Sequence, residues 1–510
     1  MRVRFAPSPT GNLHIGGLRT ALFNYLIARK AGGSFILRIE DTDRKRYQPG
    51  AVDTLIRSLK WSGIQYDEGP GIPGSFGPYI QSERLNLYRS AIDQLLETGQ
   101  AYRDYSQPGE PVKLLNGRDQ DLYKTHVVRL KIPEKDTTFK DTVYGEITIP
   151  APRPPGMGYT NDPILLKSDG FPTYHLANVV DDSHMQISHV LRGEEWLSSM
   201  PTHLAIYKAL EKPTPEFAHL PLLVNPDGTK LSKRSGDVSV EDYIVSRFCG
   251  AFNFTYLGQT KGWEPEAFVN YTALMGWNAL KTSNSSNPSE YMTMEDLIRR
   301  FDLNDVPHKR ASMFGGKLQF LNKQHLGRKV EKGDAELIDR FRTLLEKHLF
   351  VDGFQYDNEY LGEVLLLIRV SLSGIPRIKA NYSKDRISNL NEAVLMGDYF
   401  FIEPDYMSDD AKNAYGSTSV EKIDIVLKSV YEILKNEEDW QVATLNSHLK
   451  QQQKSLGLKT NEFMMPLRWA LTGKKVHAYV LSVISSLTTC ADGSKCWINL
   501  AFTWKSNNRK

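Results

Sequence analysis

The stretch from Val3 to Ile39 constrains the fold more tightly than any other part of the chain. Val3-Arg4-Phe5-Ala6 is an apolar, strand-like run, and the loop Pro7-Ser8-Pro9-Thr10-Gly11-Asn12 after it can continue neither a strand nor a helix. From Leu13 to Lys30 the apolar residues Leu18, Leu22, Tyr25, Leu26 and Ala28 stand close to i, i+3, i+4 spacing, which predicts a helix stopped by Gly32-Gly33. Ser34-Phe35-Ile36-Leu37-Arg38-Ile39 then predicts a second strand, apolar enough for a buried parallel sheet. Strand, loop, helix and strand in this order make a βαβ unit, so the expected fold class is α/β with a Rossmann-like parallel sheet. Such sheets bind ligands beyond the carboxyl ends of their strands, which selects two places: the loop at 7–12 and the acidic cluster Glu40-Asp41-Thr42-Asp43.

A chain of 510 residues exceeds the roughly 250–300 that one core supports, so several domains are expected. Residues 1–100 read as the first half of the parallel-sheet domain. From 101 to 170 the pattern changes to short β-prone runs such as His126–Leu130 and Glu146–Ile149, joined by the proline-rich Pro150–Pro155, and this predicts an inserted α+β domain. Helix and strand alternate again over 171–239, completing the sheet. Residues 240–325 read as a helical connecting domain and 326–510 as an all-helical region. In the latter, Leu337, Ile338, Phe341, Leu344 and Leu345 form one apolar stripe, and Tyr360–Leu372 and Val420–Leu434 repeat the pattern.

The three cysteines, Cys249, Cys490 and Cys496, form no CxxC pair, so neither a disulfide framework nor a zinc site is expected. No stretch approaches the about 18 uninterrupted apolar residues of a membrane-spanning helix, and no charged leader with an apolar h-region precedes Val3, so no membrane partner and no attached targeting peptide are expected. The net charge of +3 identifies no partner by itself. Residues 441–510, however, hold ten Lys and Arg against two Asp and Glu, which reads either as a solvated face or as a surface for a phosphate backbone.

The segment Asn12-Leu13-His14-Ile15-Gly16-Gly17 places a histidine and two glycines in the first turn of the predicted helix. Glycines there admit a base or a phosphate close to the backbone, and the free N–H groups and positive dipole end attract anions. It is neither a GxGxxG fingerprint nor a P-loop. More than two hundred residues later, after the apolar run Leu220–Val224 and the turn Asn225-Pro226-Asp227-Gly228, comes Lys230-Leu231-Ser232-Lys233-Arg234. Three cations on one loop suit a polyphosphate whose charge shifts towards a leaving pyrophosphate. A solvated basic loop is the plainer alternative for that segment alone.

Together the two segments resemble the HIGH and KMSKS motifs of the class I aminoacyl-tRNA synthetases, in the same order and at similar separation. Longer runs are similar to the glutamyl-tRNA synthetases of bacterial and mitochondrial type: Arg4–Gly11, Arg38–Asp43, Leu165–Asp182 and Leu191–Trp196. The likeness is strong over 2–325 and looser in the helical third. Gly17 departs from the second histidine of the HIGH motif, so no role is carried over to that position. After Lys474-Lys475 the sequence also departs from the family's usual ending.

The resemblance implies an enzyme that activates L-glutamate with ATP and transfers it to the 3′ end of tRNA-Glu, with tRNA-Gln as an open second acceptor. It further implies that 101–170 binds the acceptor stem, that 326–510 binds the anticodon, and that the enzyme is a monomer using ATP with Mg²⁺. Glutamate would be held by Arg4, Phe5, Ala6, Ser8, Glu40, Tyr174, Asn178 and Arg192. ATP would be held by Thr10, His14, Gly16, Glu195, Leu223, Lys230, Leu231, Ser232, Lys233 and Arg234, with His14, Lys230 and Lys233 catalytic. Chemistry argues beside this for Arg4 and Arg192, because a guanidinium offers a carboxylate a bidentate fork, and for Glu40 as acceptor of the substrate ammonium. Tyr174 and Asn178, four apart on a helix, share one face. For Arg192 the alternative is an ion pair with Glu194 or Glu195, and His184 with His189 suggests a metal pair that has no third ligand in view.

Among the rivals, a non-catalytic nucleotide- or RNA-binding relative would lack His14, Lys233 or Arg192, and all three are present. A nucleotide-dependent oxidoreductase lacks its glycine fingerprint here. A shortened relative that modifies a tRNA base would end near residue 300, and glutaminyl-tRNA synthetase fits the helical third less well. The family type points to the mitochondrial matrix, or otherwise to a bacterial cytoplasm.

Overall fold

The computed structural model describes residues 1–106, 126–132, 135–151, 162–225, 227–229, 239–244, 263–279, 290–312, 315–349, 356–369, 387–402, 405–406, 408–414 and 419–473. The chain divides into two compact units, Met1–Cys249 with Trp263–Leu321, and Gly250–Gly262 with Asn322–Lys510.

The first unit begins with the expected βαβ. β1 (Arg2–Phe5) and β2 (Ser34–Leu37) pair in parallel, Arg2 opposite Ser34 and Phe5 opposite Leu37. Between them α1 (Ile15–Lys30) starts on His14, whose Nδ1 accepts the Gly16 N–H, and carries Arg29 and Lys30 in its last turn, where cations complement the helix dipole. Nearly every side chain from Leu18 to Ala28 is buried, so α1 is a core helix rather than an amphipathic one. The turn after it must be glycine at 33, because a Cβ there would lie 2.2 Å from the Met1 carbonyl oxygen. α2 (Ala51–Trp61) and α3 (Leu85–Glu97) follow.

Downstream strands form a further sheet beside the β1–β2 pair. α4 (Tyr174–His184) leads to β8 (His189–Gly193), and α5 (Met200–Ala209) to β9 (Glu216–Leu220), which pairs with β8 in parallel. The Ser188 N–H donates to the Arg2 carbonyl, so β1 runs beside β8. β10 (Leu223–Val224) pairs in parallel with the distant β11 (Ala311–Ser312).

The stretch expected as one inserted domain divides between two sheets. β3 (Ala101–Asp104), β4 (Val127–Leu130) and β7 (Ile164–Leu166) form a separate antiparallel sheet. β5 (Thr137–Asp141) and β6 (Gly145–Ile149) form a hairpin that joins β9 through Asp141 opposite Phe217. The Asp141 carboxylate holds that junction by accepting from the Val143, Tyr144 and His219 backbone N–H groups. α6 (Glu241–Ile244), α7 (Pro265–Leu274) and α8 (Met294–Arg300) complete the unit, with α7 and α8 packed on α1.

α9 (Gly315–Glu331) carries the chain into the second unit. Its helices are α10 (Ala335–Leu349), α11 (Asn358–Arg369), α12 (Leu390–Gly397), α13 (Asp409–Ala414), α14 (Val420–Lys435), α15 (Val442–Ser455) and α16 (Thr460–Thr472). The predicted stripe of α10 is inside: Leu337, Ile338, Phe341 and Leu345 are buried and Leu344 packs against them. α16 ends on Gly473 in the left-handed region, as helix C-caps favour.

Candidate active site

Three strands carry an arginine near or just past their carboxyl ends, and these meet. Arg4 lies in β1, Arg38 follows β2, and Arg192 lies in β8. α4 crosses behind them with Tyr174, Asn178, Asp181 and Asp182. Asp182 accepts from Arg4 Nε at 3.0 Å and Arg38 Nη1 at 2.6 Å. Arg38 Nη2 donates to Glu40 Oε1 at 3.1 Å, which also accepts from Asn178 Nδ2 at 3.3 Å. Asp181 takes Arg84 Nε at 2.7 Å and the hydroxyl of Tyr88.

All of these side chains except the half-buried Tyr174 are buried, and the charges among them decide their ionisation. Burial opposes the charge of Asp182, but the Arg38 and Arg4 guanidinium groups outweigh it and hold the carboxyl below its usual range. At Glu40 burial wins over Arg38 and Arg4, and the carboxyl is raised. Arg38 is also opposed by burial, yet Asp182, Asp181 and Glu40 keep it firmly charged. The cations Arg4, Arg38 and Arg84 are thus matched by the anions Glu40, Asp181 and Asp182.

Arg192 is the exception. Its Nε donates to His219 Nε2 at 3.0 Å, and its Nη1 to His203 Nδ1 at 3.1 Å and the Tyr174 hydroxyl at 3.3 Å. Its Nη2 reaches the Trp196 carbonyl at 3.4 Å and Met200 Sδ at 3.1 Å. All five acceptors are neutral, and burial depresses its affinity for the proton. The expected alternative partner Glu194 is engaged elsewhere, with the Tyr144 hydroxyl and Arg310. Tyr174, whose ring packs at a tilt against Trp196 with 4.1 Å between centroids, has its hydroxyl pushed up to about 12 by burial.

The other expected glutamate residues are less alike. Phe5 packs its side chain into the core beside Leu13 and Gly17, and only its carbonyl faces this region, accepting from the Arg38 N–H. Ala6 is half-buried and Ser8 exposed on the loop that Glu40 joins through its N–H to the Pro7 carbonyl.

The nucleotide side is built on the start of α1. Since His14 Nδ1 accepts the Gly16 N–H, a neutral His14 carries its proton on Nε2. A Cβ on Gly16 would stand 3.3 Å from His14 Nδ1, and one on Gly17 3.0 Å from Leu13 Cδ1. At Gly17, the position that departs from the HIGH motif, any larger residue would require the Leu13 side chain to give by a few tenths of an ångström. Thr10 closes a turn onto the Ser8 carbonyl. Ser239 bridges to His14 and the Val240 N–H donates to the Leu13 carbonyl, so Ser239 and Val240 lie against the start of α1. Lys230, Leu231, Ser232, Lys233 and Arg234 themselves lie outside the described residues. Leu223 is in β10 with its side chain buried, and Glu195 is exposed after β8, its carboxylate folded back over Gly193, where a Cβ would collide with it.

Sequence reasoning assigned no role to Arg38, Asp182, His203, His219 or Asp141. Arg38 and Asp182 stand inside quoted runs, while His203 and His219 carry a fainter signal, a histidine in an apolar setting. His184 and His189 do not meet: the first contacts Arg84 Nη2 and the second Ser188 and Glu216. Among the described residues no three His, Cys, Asp or Glu side chains converge as a metal would require.

His175, His203 and His219 all lie below their ordinary value of 6.5, chiefly because they are buried and secondarily, for His175 and His203, because Arg192 is near. At His219 the bond to Asp141 opposes the fall. The unfolded chain then takes up these protons first, so their contribution to stability is complete above about pH 6.5 and declines as pH drops below it. Urea unfolding followed at pH 7.5 and pH 5.5 should give a lower midpoint at pH 5.5, and His203→Asn should remove part of that difference.

The parallel sheet, the glycine-flanked start of α1 and the charged pocket at the strand ends define an α/β enzyme of the nucleotide-binding class. Comparison with known families places it further: residues 1–122 and 113–320 match tRNA synthetases class I (E and Q), catalytic domain, and 336–487 match an anticodon binding domain. The chain belongs to this class I family of glutamyl and glutaminyl tRNA synthetases. A glutamate–tRNA ligase of Chloroherpeton thalassium is 36% identical over 508 residues, covering 93% of this chain and 92% of that one. Another, of Christiangramia forsetii, is 37% identical with 93% of each covered. The crystal structure of a glutamate tRNA ligase from Elizabethkingia meningosepticum in complex with its amino acid matches with TM-score 0.78 and 30% identity, covering 98% of this chain and 99% of that one. These relatives are bacterial and lend no support to the mitochondrial expectation.

Proposed function

We propose that the chain is a glutamate–tRNA ligase in which Arg192 receives the side-chain carboxylate of glutamate. The observation that carries this is the charge balance of the pocket. Its other buried cations are matched by carboxylates, and Arg192 has neutral acceptors alone. Glutamate, with two carboxylates and one ammonium, brings the single negative charge that Arg192 lacks. Zwitterionic glutamine brings none, which disfavours the glutaminyl reading. The longest oxygen contacts of Arg192, to Tyr174 and Trp196, are the ones a carboxylate outcompetes. Glu40 and Asn178 then face the ammonium end, and Arg4, already paired with Asp182, orients the floor.

In the reaction a glutamate α-carboxylate oxygen attacks the ATP α-phosphorus and the bond to pyrophosphate breaks. A hydroxyl of the tRNA terminal ribose next attacks the adenylate carbonyl, releasing AMP. His14 and the glycine-flanked start of α1 hold the phosphates, with Thr10 beside them. Glu195 and the Leu223 backbone hold the ribose and base. Mg²⁺ would accompany ATP on its phosphates and, when bound, would screen their charge. A monomer is proposed, as the family resemblance implies. For the compartment, the bacterial-type helical region is compatible with the mitochondrial matrix and with a bacterial cytoplasm alike.

Purified protein with ATP, glutamate and total tRNA should form glutamyl-tRNA, with glutamine a poor substitute. Equal charging with glutamine overturns the proposal, and separate tRNA-Glu and tRNA-Gln transcripts decide the acceptor. Lys230 and Lys233 come soon after β10 in the sequence, and their proposed role is to meet charge that develops only as pyrophosphate leaves. Lys233→Ala should therefore cut the rate of adenylate formation by about 10²–10³-fold while leaving glutamate KM nearly intact. A change confined to KM would remove the transition-state role.

A further inference from the structure

We infer that His203 and His219 are positioning residues that fix the Arg192 guanidinium and keep its charge uncompensated, so that together they determine the preference for a carboxylate over an amide. This rests on the reading that Arg192 receives the glutamate carboxylate.

A guanidinium only donates hydrogen bonds, so each nitrogen that receives one from Arg192 must be the unprotonated nitrogen of its ring. These are His219 Nε2, at 3.0 Å from Arg192 Nε, and His203 Nδ1, at 3.1 Å from Arg192 Nη1. Each ring also has a partner behind it. His219 donates from Nδ1 to Asp141 Oδ2 at 2.7 Å, and Asp141 is itself fixed by backbone N–H groups of its own turn. His203 donates from Nε2 to His175 Nδ1 at 3.0 Å. The two histidines come from different elements, α5 and β9, and both are fully buried. They grip different nitrogens of the guanidinium, so its plane cannot turn without breaking one of the bonds.

The choice of imidazole matters as much as the geometry. An aspartate at either place would accept the same N–H group, but it would also neutralise Arg192 and leave nothing for the ligand's extra negative charge. A neutral imidazole satisfies the donor and leaves the charge. Asp141 completes the design one layer out by ensuring that the His219 nitrogen facing Arg192 carries no hydrogen, and His175 Nδ1 receives the proton that Arg192 forces onto His203 Nε2.

The test compares His203→Asn, whose amide oxygen stands near the Nδ1 position, with His203→Leu and His203→Asp, and likewise His219→Gln with His219→Leu. Arg192→Gln runs in parallel. ATP–pyrophosphate exchange with tRNA present gives kcat and KM for glutamate and glutamine, and KM for ATP gauges the rest of the site. The leucine variants should raise glutamate KM roughly tenfold or more at little cost in kcat or ATP KM, because a buried charged donor loses its acceptor. His203→Asp should narrow the glutamate-over-glutamine ratio roughly tenfold or more although a hydrogen bond is retained. His203→Asn and His219→Gln should stay within a few-fold of the parent. If the leucine variants do not fold, the contrast of His203→Asp with His203→Asn still decides. Should Arg192→Gln lose the preference while His203→Asp and both leucine variants keep it, the inference is overturned and the reading of Arg192 stands. Should Arg192→Gln itself keep the preference, that reading fails, and the inference with it.

Discussion

Arg192→Gln should lower kcat/KM for glutamate by about 10²–10³-fold and leave activation of glutamine nearly unchanged, so that the two amino acids approach parity. A cation and a carboxylate that pair out of water are worth a few kcal/mol when one of them is removed, and each 1.4 kcal/mol is tenfold. The pocket offers no substitute, since Arg4 and Arg38 are already committed to Asp182 and Glu40. Arg192→Lys separates charge from shape. It keeps a cation but loses the planar fork that reaches His219, His203 and Tyr174 together, and so should fall between the parent and Arg192→Gln. The measurement is ATP–pyrophosphate exchange with each amino acid in the presence of tRNA. A parent-like ratio in both folded variants would move the selectivity to Arg4.

Much of this site was legible because local chemistry announced it. The βαβ at the N-terminus is set by a proline-rich break and a glycine stop, and α1 runs over Ile15–Lys30 within the stretch predicted as a helix. The loop at 7–12 and Glu40 followed from where parallel sheets bind ligands, and Arg4 and Arg192 from the resemblance and from the fork a guanidinium offers a carboxylate. Less legible was whatever depends on partners distant in sequence. Nothing near Asp141 indicates that it pairs with Phe217 or receives His219, so the hairpin β5–β6 read as part of an insert. Nothing near Arg192 indicates that its neighbours are imidazoles from α5 and β9 rather than Glu194 or Glu195. A charge adjacent in sequence was the obvious partner, but at the end of a strand the chain turns away, and Glu194 swings out to Tyr144 and Arg310. The amphipathic stripe of α10 was readable because helical packing of that kind is recorded in spacing alone.

Asp182→Ala should destabilise the first unit by about 3–5 kcal/mol, the cost of removing one partner from a buried ion pair. Asp182 is the acceptor shared by Arg4 and Arg38, and its side chain is wholly buried. Its loss leaves two guanidinium groups from different strands facing each other with one fewer negative charge between them. Total stabilities of natural domains run to only about 5–15 kcal/mol, so much of the protein should then unfold or aggregate at 37 °C. Asp182→Asn keeps an oxygen for Arg4 or Arg38 but not the charge, and should cost less. The double variant Asp182→Leu with Arg38→Leu distinguishes a charge requirement from a packing one. Replacing both partners by apolar groups should recover part of the stability lost in Asp182→Leu alone. It should not recover activity, because Arg38 also donates to Glu40 and so sets the carboxylate proposed to meet the substrate ammonium. Chemical unfolding of all four proteins, read beside glutamate KM, provides the comparison. A cost below about 1 kcal/mol for Asp182→Ala is what an exposed pair gives, and it would mean that water reaches the two arginines and that the pocket floor is not the closed ionic network described here.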